Sequence, residues 1–105
     1  MTKQEELEYL ISQAIKATGS EEKLATELIE PLQNVTAWRT GCLVCSPENQ
    51  ALLAKIAGFD PIATLARAVV QQHENKMKAG LLEHALRKAF ASDWRGAKYR
   101  WSKVD

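Results

Sequence analysis

Apolar residues recur at spacings of three and four along most of the chain, the period of one helical face, and six such stripes predict six helices. Leu7, Leu10, Ile11, Ala14 and Ile15 define the first, over residues 5–17, and Thr18-Gly19-Ser20 closes it. Ser20 then caps a second helix whose opening pair, Glu21-Glu22, complements the positive end of the helix dipole. Its buried face is expected to be Leu24, Ala25, Leu28 and Ile29. Pro31 suits the first position of a short third helix, with Val35 and Trp38 beneath it and Arg39-Thr40-Gly41 at its end. Ser46-Pro47 opens a fourth, with the stripe Leu52, Leu53, Ile56 and Ala57, closed by Gly58. Asp60-Pro61 repeats the cap-then-proline device before Ile62, Leu65, Ala66, Val69 and Val70. After the polar stretch 71–78, the residues Leu81, Leu82, Ala85, Leu86, Ala89 and Phe90 make a sixth stripe. No segment alternates at period two for long enough to be a strand. The predicted fold class is all-α, with short connections.

Composition narrows the picture. A chain of 105 residues has room for one domain, expected over residues 1–90, with a basic and aromatic C-terminal extension at 91–105. A hydrophobic fraction of 46% with 5 Gly and 3 Pro excludes a disordered or collagen-like chain. There is no run of apolar residues long enough to span a membrane and no secretory leader pattern, so the expected location is cytoplasmic, with no membrane partner. The formal net charge of +1 hides a polarity. Residues 1–70 hold 6 Lys/Arg against 9 Asp/Glu, whereas residues 71–105 hold 8 against 4. Such a chain can meet a polyanion with its C-terminal part.

Two helices of about eight residues separated by three or four are the geometry of a helix-turn-helix. The candidate unit is residues 24–41, LATELIEPLQNVTAWRTG. Leu24-Ala25, Leu28, Gln33 and the run Val35-Thr36-Ala37-Trp38-Arg39-Thr40-Gly41 fall without a gap onto the pattern of the Cro and C1 repressor-like families, which this stretch resembles. The continuation at 46–69, SPENQALLAKIAGFDPIATLARAV, is similar to small repressor-like proteins of filamentous and related bacteriophages. The resemblance covers roughly residues 21–89. It implies a lambda-repressor-like fold and a sequence-specific regulator of double-stranded DNA, of phage or prophage type. Family residues at the positions of Leu32, Gln33, Thr36 and Ala37 contact bases.

The residues themselves select the same positions. With Val35 and Trp38 facing inward, Leu32, Gln33, Thr36 and Ala37 face outward on the third helix. Gln33 can pair bidentately with an adenine edge, Thr36 can reach a base or a phosphate, and Leu32 can pack on a thymine methyl. Arg39 and Thr40 sit near the helix end, where phosphate is the expected contact. Three features depart from the family pattern. Ile29 stands where the turn usually holds a glycine, because a residue there often needs positive φ. Glu30 follows it, beside the expected groove, and Ala37 replaces a long polar or basic side chain. Lys23 and Arg39 are the only cations on the second and third helices.

Other candidate chemistry is sparse. Cys42 and Cys45 have metal-ligand spacing but supply only two ligands, and His73 and His84 lie far along the chain, so both thiols are expected to fill a link between helices. A redox CxxC wants a strand before its helix, and none is predicted. No phosphate-cradling glycine loop or catalytic spacing occurs, so neither an enzyme nor a cofactor is expected. Trp94, Tyr99 and Trp101, interleaved with Arg95, Lys98, Arg100 and Lys103, either pack on the domain or a partner or stack on bases. The faces Ile62/Leu65/Val69 and Leu81/Leu82/Ala85/Leu86 exceed what a repressor core needs, which predicts a homodimer through the fifth and sixth helices. The alternative function is a protein–protein interaction module on a repressor-like fold, without specific DNA binding.

Overall fold

In the computed structural model, which describes residues 2–90, each stripe becomes an α-helix: α1 (Lys3–Thr18), α2 (Glu21–Leu28), α3 (Leu32–Thr40), α4 (Pro47–Ala57), α5 (Pro61–Gln72) and α6 (Lys76–Phe90). The described residues contain no β-strand. The expected extension at 91–105, with Trp94, Tyr99 and Trp101, and the side-chain placement of Ala89 and Phe90 lie outside the described residues. No helix among the described residues is long and apolar enough to cross a membrane.

The helix starts follow from side-chain caps. Ser20 Oγ accepts from the Lys23 N–H, Ser46 Oγ from Asn49, and Asp60 Oδ1 from both Ile62 and Ala63. At α1 the start is two residues earlier than the apolar pattern indicates, because Thr2 and Glu5 form a reciprocal capping box that periodicity does not register. The backbone and side-chain bonds from Thr2 hold the exposed Glu5 carboxyl below its ordinary value.

Around α1 the core gathers Leu10, Ile11 and Ala14 with Leu24, Ala25 and Leu28 of α2, Val35 and Trp38 of α3, and Leu53 and Ala54 of α4; Cys45 and Phe59 close it from the connections. Burial of these side chains, at roughly 1.5–3 kcal/mol for each large one, is what fixes α2 and α3 against α1 and α4. Helix α5 packs on α4, and α6 lies mainly against α5.

Four stripes face differently from expectation. Ile29 is 91% exposed, because α2 ends before it and the chain turns there. On α4, Leu53 and Ala54 are buried while Leu52 stands outward. On α5 the buried side chains are Thr64, Arg67 and Ala68, and Ile62 (66% exposed) and Val69 face out. Thr64 tolerates burial because its Oγ1 donates to the Asp60 carbonyl at 2.7 Å, one turn back. On α6 the inward residue is Ala79, with Leu82 and Leu86 half-buried, while Met77 and Leu81 are 84% and 72% exposed.

Candidate functional site

The α2–α3 junction begins at Ile29, which adopts φ 56°, ψ 47°, the left-handed region that a β-branched residue rarely enters. Its N–H donates back to the carbonyls of Ala25 and Thr26, and the Glu30 N–H reaches Ala25 O at 3.0 Å, so the last carbonyls of α2 are satisfied. The glycine of the family pattern is therefore absent while the backbone geometry that favours it is present. Pro31 stands at the cap of α3 rather than at its first helical position, and it supplies no side-chain acceptor.

Helix α3 is held on every side that does not face solvent. Val35 and Trp38 anchor it in the core. At its start, Asn34 Nδ2 donates to Glu30 Oε1 at 2.9 Å, so Glu30 is turned to the helix rather than left facing the expected groove. At its end, Gln4 Nε2 of α1 donates to the carbonyls of both Trp38 and Arg39, each at 2.9 Å. That bond replaces intrahelical partners that the last turn lacks. Gly41, at φ 82°, brings the backbone under Gln4, and an added Cβ there would lie 3.3 Å from Gln4 Oε1.

Of the six expected contact residues, Leu32, Gln33, Thr36, Arg39 and Thr40 are exposed and Ala37 is half-buried. The Ala37 carbonyl receives the Cys42 and Leu43 N–H groups as the chain folds back after α3. Two of the exposed side chains are also engaged. Arg39 NH1 donates to Glu21 Oε2 at 2.9 Å, and Thr36 Oγ1 donates to Glu21 Oε1 at 3.0 Å. Arg39, expected against phosphate, thus has a carboxylate partner inside the molecule. The Thr40 hydroxyl turns back to Ala37 O. Leu32 and Gln33 make no such side-chain bond among the described residues. A cleft of about 290 Å³ opens beside the Glu21–Arg39 pair, and Glu8 and Ser12 of α1 form its other wall.

Sequence reasoning missed Gln4, Glu21 and the Glu30–Asn34 bond. The last has a spacing of four, but Glu30 precedes the cap of α3 and so lies outside the helix to which pair rules apply. Glu21 and Arg39 are 18 positions apart, and no local pattern joins them.

The cysteines part company. Cys42 is exposed and Cys45 is buried in the core. Burial, with Glu30 nearby, pushes the Cys45 thiol up to about 12, so it stays neutral and unreactive as a small apolar side chain. Its carbonyl ties the link down, accepting from Gln50 Nε2 at 3.1 Å and Gln72 Nε2 at 2.8 Å. Among the described residues no group of three or more His, Cys, Asp or Glu side chains converges. Comparison with protein-family models, curated proteins and solved structures returns no match for this chain.

Proposed function

We propose that the chain is a sequence-specific double-stranded DNA-binding transcriptional regulator of the phage-repressor type, with α2 and α3 as its helix-turn-helix and α3 in the major groove. The observation that carries the reading is α3 itself. It is short, braced from the core side by Val35 and Trp38, tied at its end by Gln4, and offers Leu32 and Gln33 to solvent at its N-terminal end. A helix held rigidly with its N-terminal residues outward is what major-groove readout needs. One such helix reads only a few base pairs, so the regulator acts as a homodimer on paired half-sites. The outward apolar residues of α5 and α6, Ile62, Val69, Met77 and Leu81, are the proposed contact.

A second reading, an interaction module without specific DNA binding, is favoured by the engagement of Arg39 with Glu21 and by the apolar exposure of Ile29 and Leu32 at the α2–α3 junction.

Selection of a preferred duplex from random DNA, followed by Gln33→Ala, separates the two. Loss of a base reader should cost roughly 1–3 kcal/mol on the selected sequence and leave binding to mixed-sequence DNA almost unchanged. Failure of the parent to bind any duplex at about 50 mM salt, where phosphate contacts are strongest, returns the chain to the interaction-module reading.

A further inference from the structure

We infer that Glu21 sets the affinity of the α3 face for nucleic acid by acting as an internal competitor of backbone phosphate. The inference rests on the DNA-binding reading above. Glu21 sits in the first turn of α2, fixed by the Ser20 cap, and its two oxygens divide between two donors on α3: Oε1 takes the Thr36 hydroxyl and Oε2 takes the Arg39 guanidinium. A phosphodiester presents the same pair of acceptor oxygens to the same kinds of donor. Both cannot hold Thr36 and Arg39 in this arrangement at once. Glu8 lines the same cleft, and no ion pair joins it to Arg39, so two carboxylates face a single guanidinium. A phosphate approaching this edge therefore meets net negative charge, and gains Arg39 as a donor only when Glu21 releases it.

The pair is partly exposed, with side-chain exposures of 43% for Arg39 and 27% for Glu21, which makes it weak enough for a phosphate to displace. Its effect is on how many cations the face offers. Releasing Arg39 adds one phosphate contact, and each such contact steepens the dependence of log affinity on log salt by about 0.9.

The test is fluorescence anisotropy of a labelled mixed-sequence duplex titrated with parent, Glu21→Gln, Arg39→Ala and the double variant, at salt from about 50 to about 200 mM. Glu21→Gln should bind about 3–10-fold tighter at the low-salt end, with the slope steeper by about one. Arg39→Ala should weaken binding, since it leaves Glu21 and Glu8 without a cation between them, and should cut the Glu21→Gln gain to the size of the Glu8→Gln gain, with no steepening of the salt slope. Glu8→Gln removes a charge from the cleft without freeing Arg39, and its smaller gain should survive Arg39→Ala. If Glu21→Gln binds like the parent, or more weakly, the competitor role is wrong and the DNA-binding reading stands. If its full gain and steeper slope persist without Arg39, the role is again wrong. If no variant binds DNA at low salt, both fall together.

Discussion

Two junctions in this molecule have nearly the same backbone and opposite local chemistry. At α4–α5, Gly58 takes the left-handed position at φ 87°, Phe59 folds into the core, and Asp60 caps the next helix. At α2–α3, Ile29 takes the left-handed position, Glu30 stays half-buried at the surface, and Pro31 stands at the cap with no acceptor to offer. The returning amide bonds match: Phe59 N–H to Ala54 O at 2.7 Å, Glu30 N–H to Ala25 O at 3.0 Å. One junction satisfies every local rule, whereas the other breaks two of them beside the candidate reading helix. Local rules are most often broken where a surface serves something other than stability. Rigidity at α2–α3 comes instead from non-local ties, from Val35, Trp38, Gln4 and Glu21.

The largest expected difference between the junctions lies in their middle residues. Phe59 is buried beside the ring of Tyr9, with centroids 6.2 Å apart. Phe59→Ala should lower unfolding free energy by about 3–5 kcal/mol through lost transfer energy and the cavity left behind. Glu30→Ala removes one hydrogen bond to Asn34 and should cost about 0.5–1.5 kcal/mol. Urea unfolding of both variants makes the comparison directly. Equal losses would mean that α2–α3 is anchored locally after all.

Next comes an exchange of the left-handed residues, for which opposite signs are expected. Ile29 is so exposed that truncation forfeits almost no burial, while leaving the left-handed region relieves about 1–2 kcal/mol of strain. A freer unfolded chain offsets about 0.4–1 kcal/mol of that, so Ile29→Gly should raise stability by about 1 kcal/mol. Gly58→Ala should lower it by about 1 kcal/mol. Nothing lies within 4 Å of the added Cβ, so that loss comes from φ alone. Urea midpoints should shift in opposite directions with unchanged slopes. A loss of stability in Ile29→Gly would show that Ile29 makes contacts that its exposure does not suggest.

The same contrast explains what the sequence discloses. Ser20, Ser46-Pro47, Asp60-Pro61 and the glycines at 19, 41 and 58 mark helix ends chemically, so five of the helices could be placed from short-range signals. The inward side of α3 was legible for the same reason, since Val35 and Trp38 are three apart on one face and the remaining large apolar residue, Leu32, stands outward at the helix start. Orientation of a stripe is a different matter. Periodicity identifies an apolar face without saying what it meets, and α5 places Thr64, Arg67 and Ala68 inward while Ile62 and Val69 stay out. The candidate site was legible as a list of positions on α3 and illegible as an electrostatic object. Its state depends on Glu21 and Gln4, which reach α3 from other helices at sequence distances that no spacing rule covers.

The smallest expected effects concern the caps, and they test whether proline substitutes for the missing acceptor. Asp60→Ala removes an oxygen that holds two amides of α5 and should cost about 1 kcal/mol. Pro31 holds no amide by its side chain, but its ring fixes φ near the observed −62° and restricts the unfolded chain. Pro31→Ala should therefore cost only about 0.4–1 kcal/mol, the entropy that the ring had removed. Pro31→Ser loses the same entropy and gains a hydroxyl acceptor worth about 0.5–1 kcal/mol at the cap. The two terms should cancel, leaving Pro31→Ser within about 0.5 kcal/mol of the parent by urea unfolding. A Pro31→Ser variant that stays as unstable as Pro31→Ala would mean that the first-turn amides of α3 cannot turn to a cap. The bare cap would then be imposed by the geometry of the junction rather than compensated by the ring.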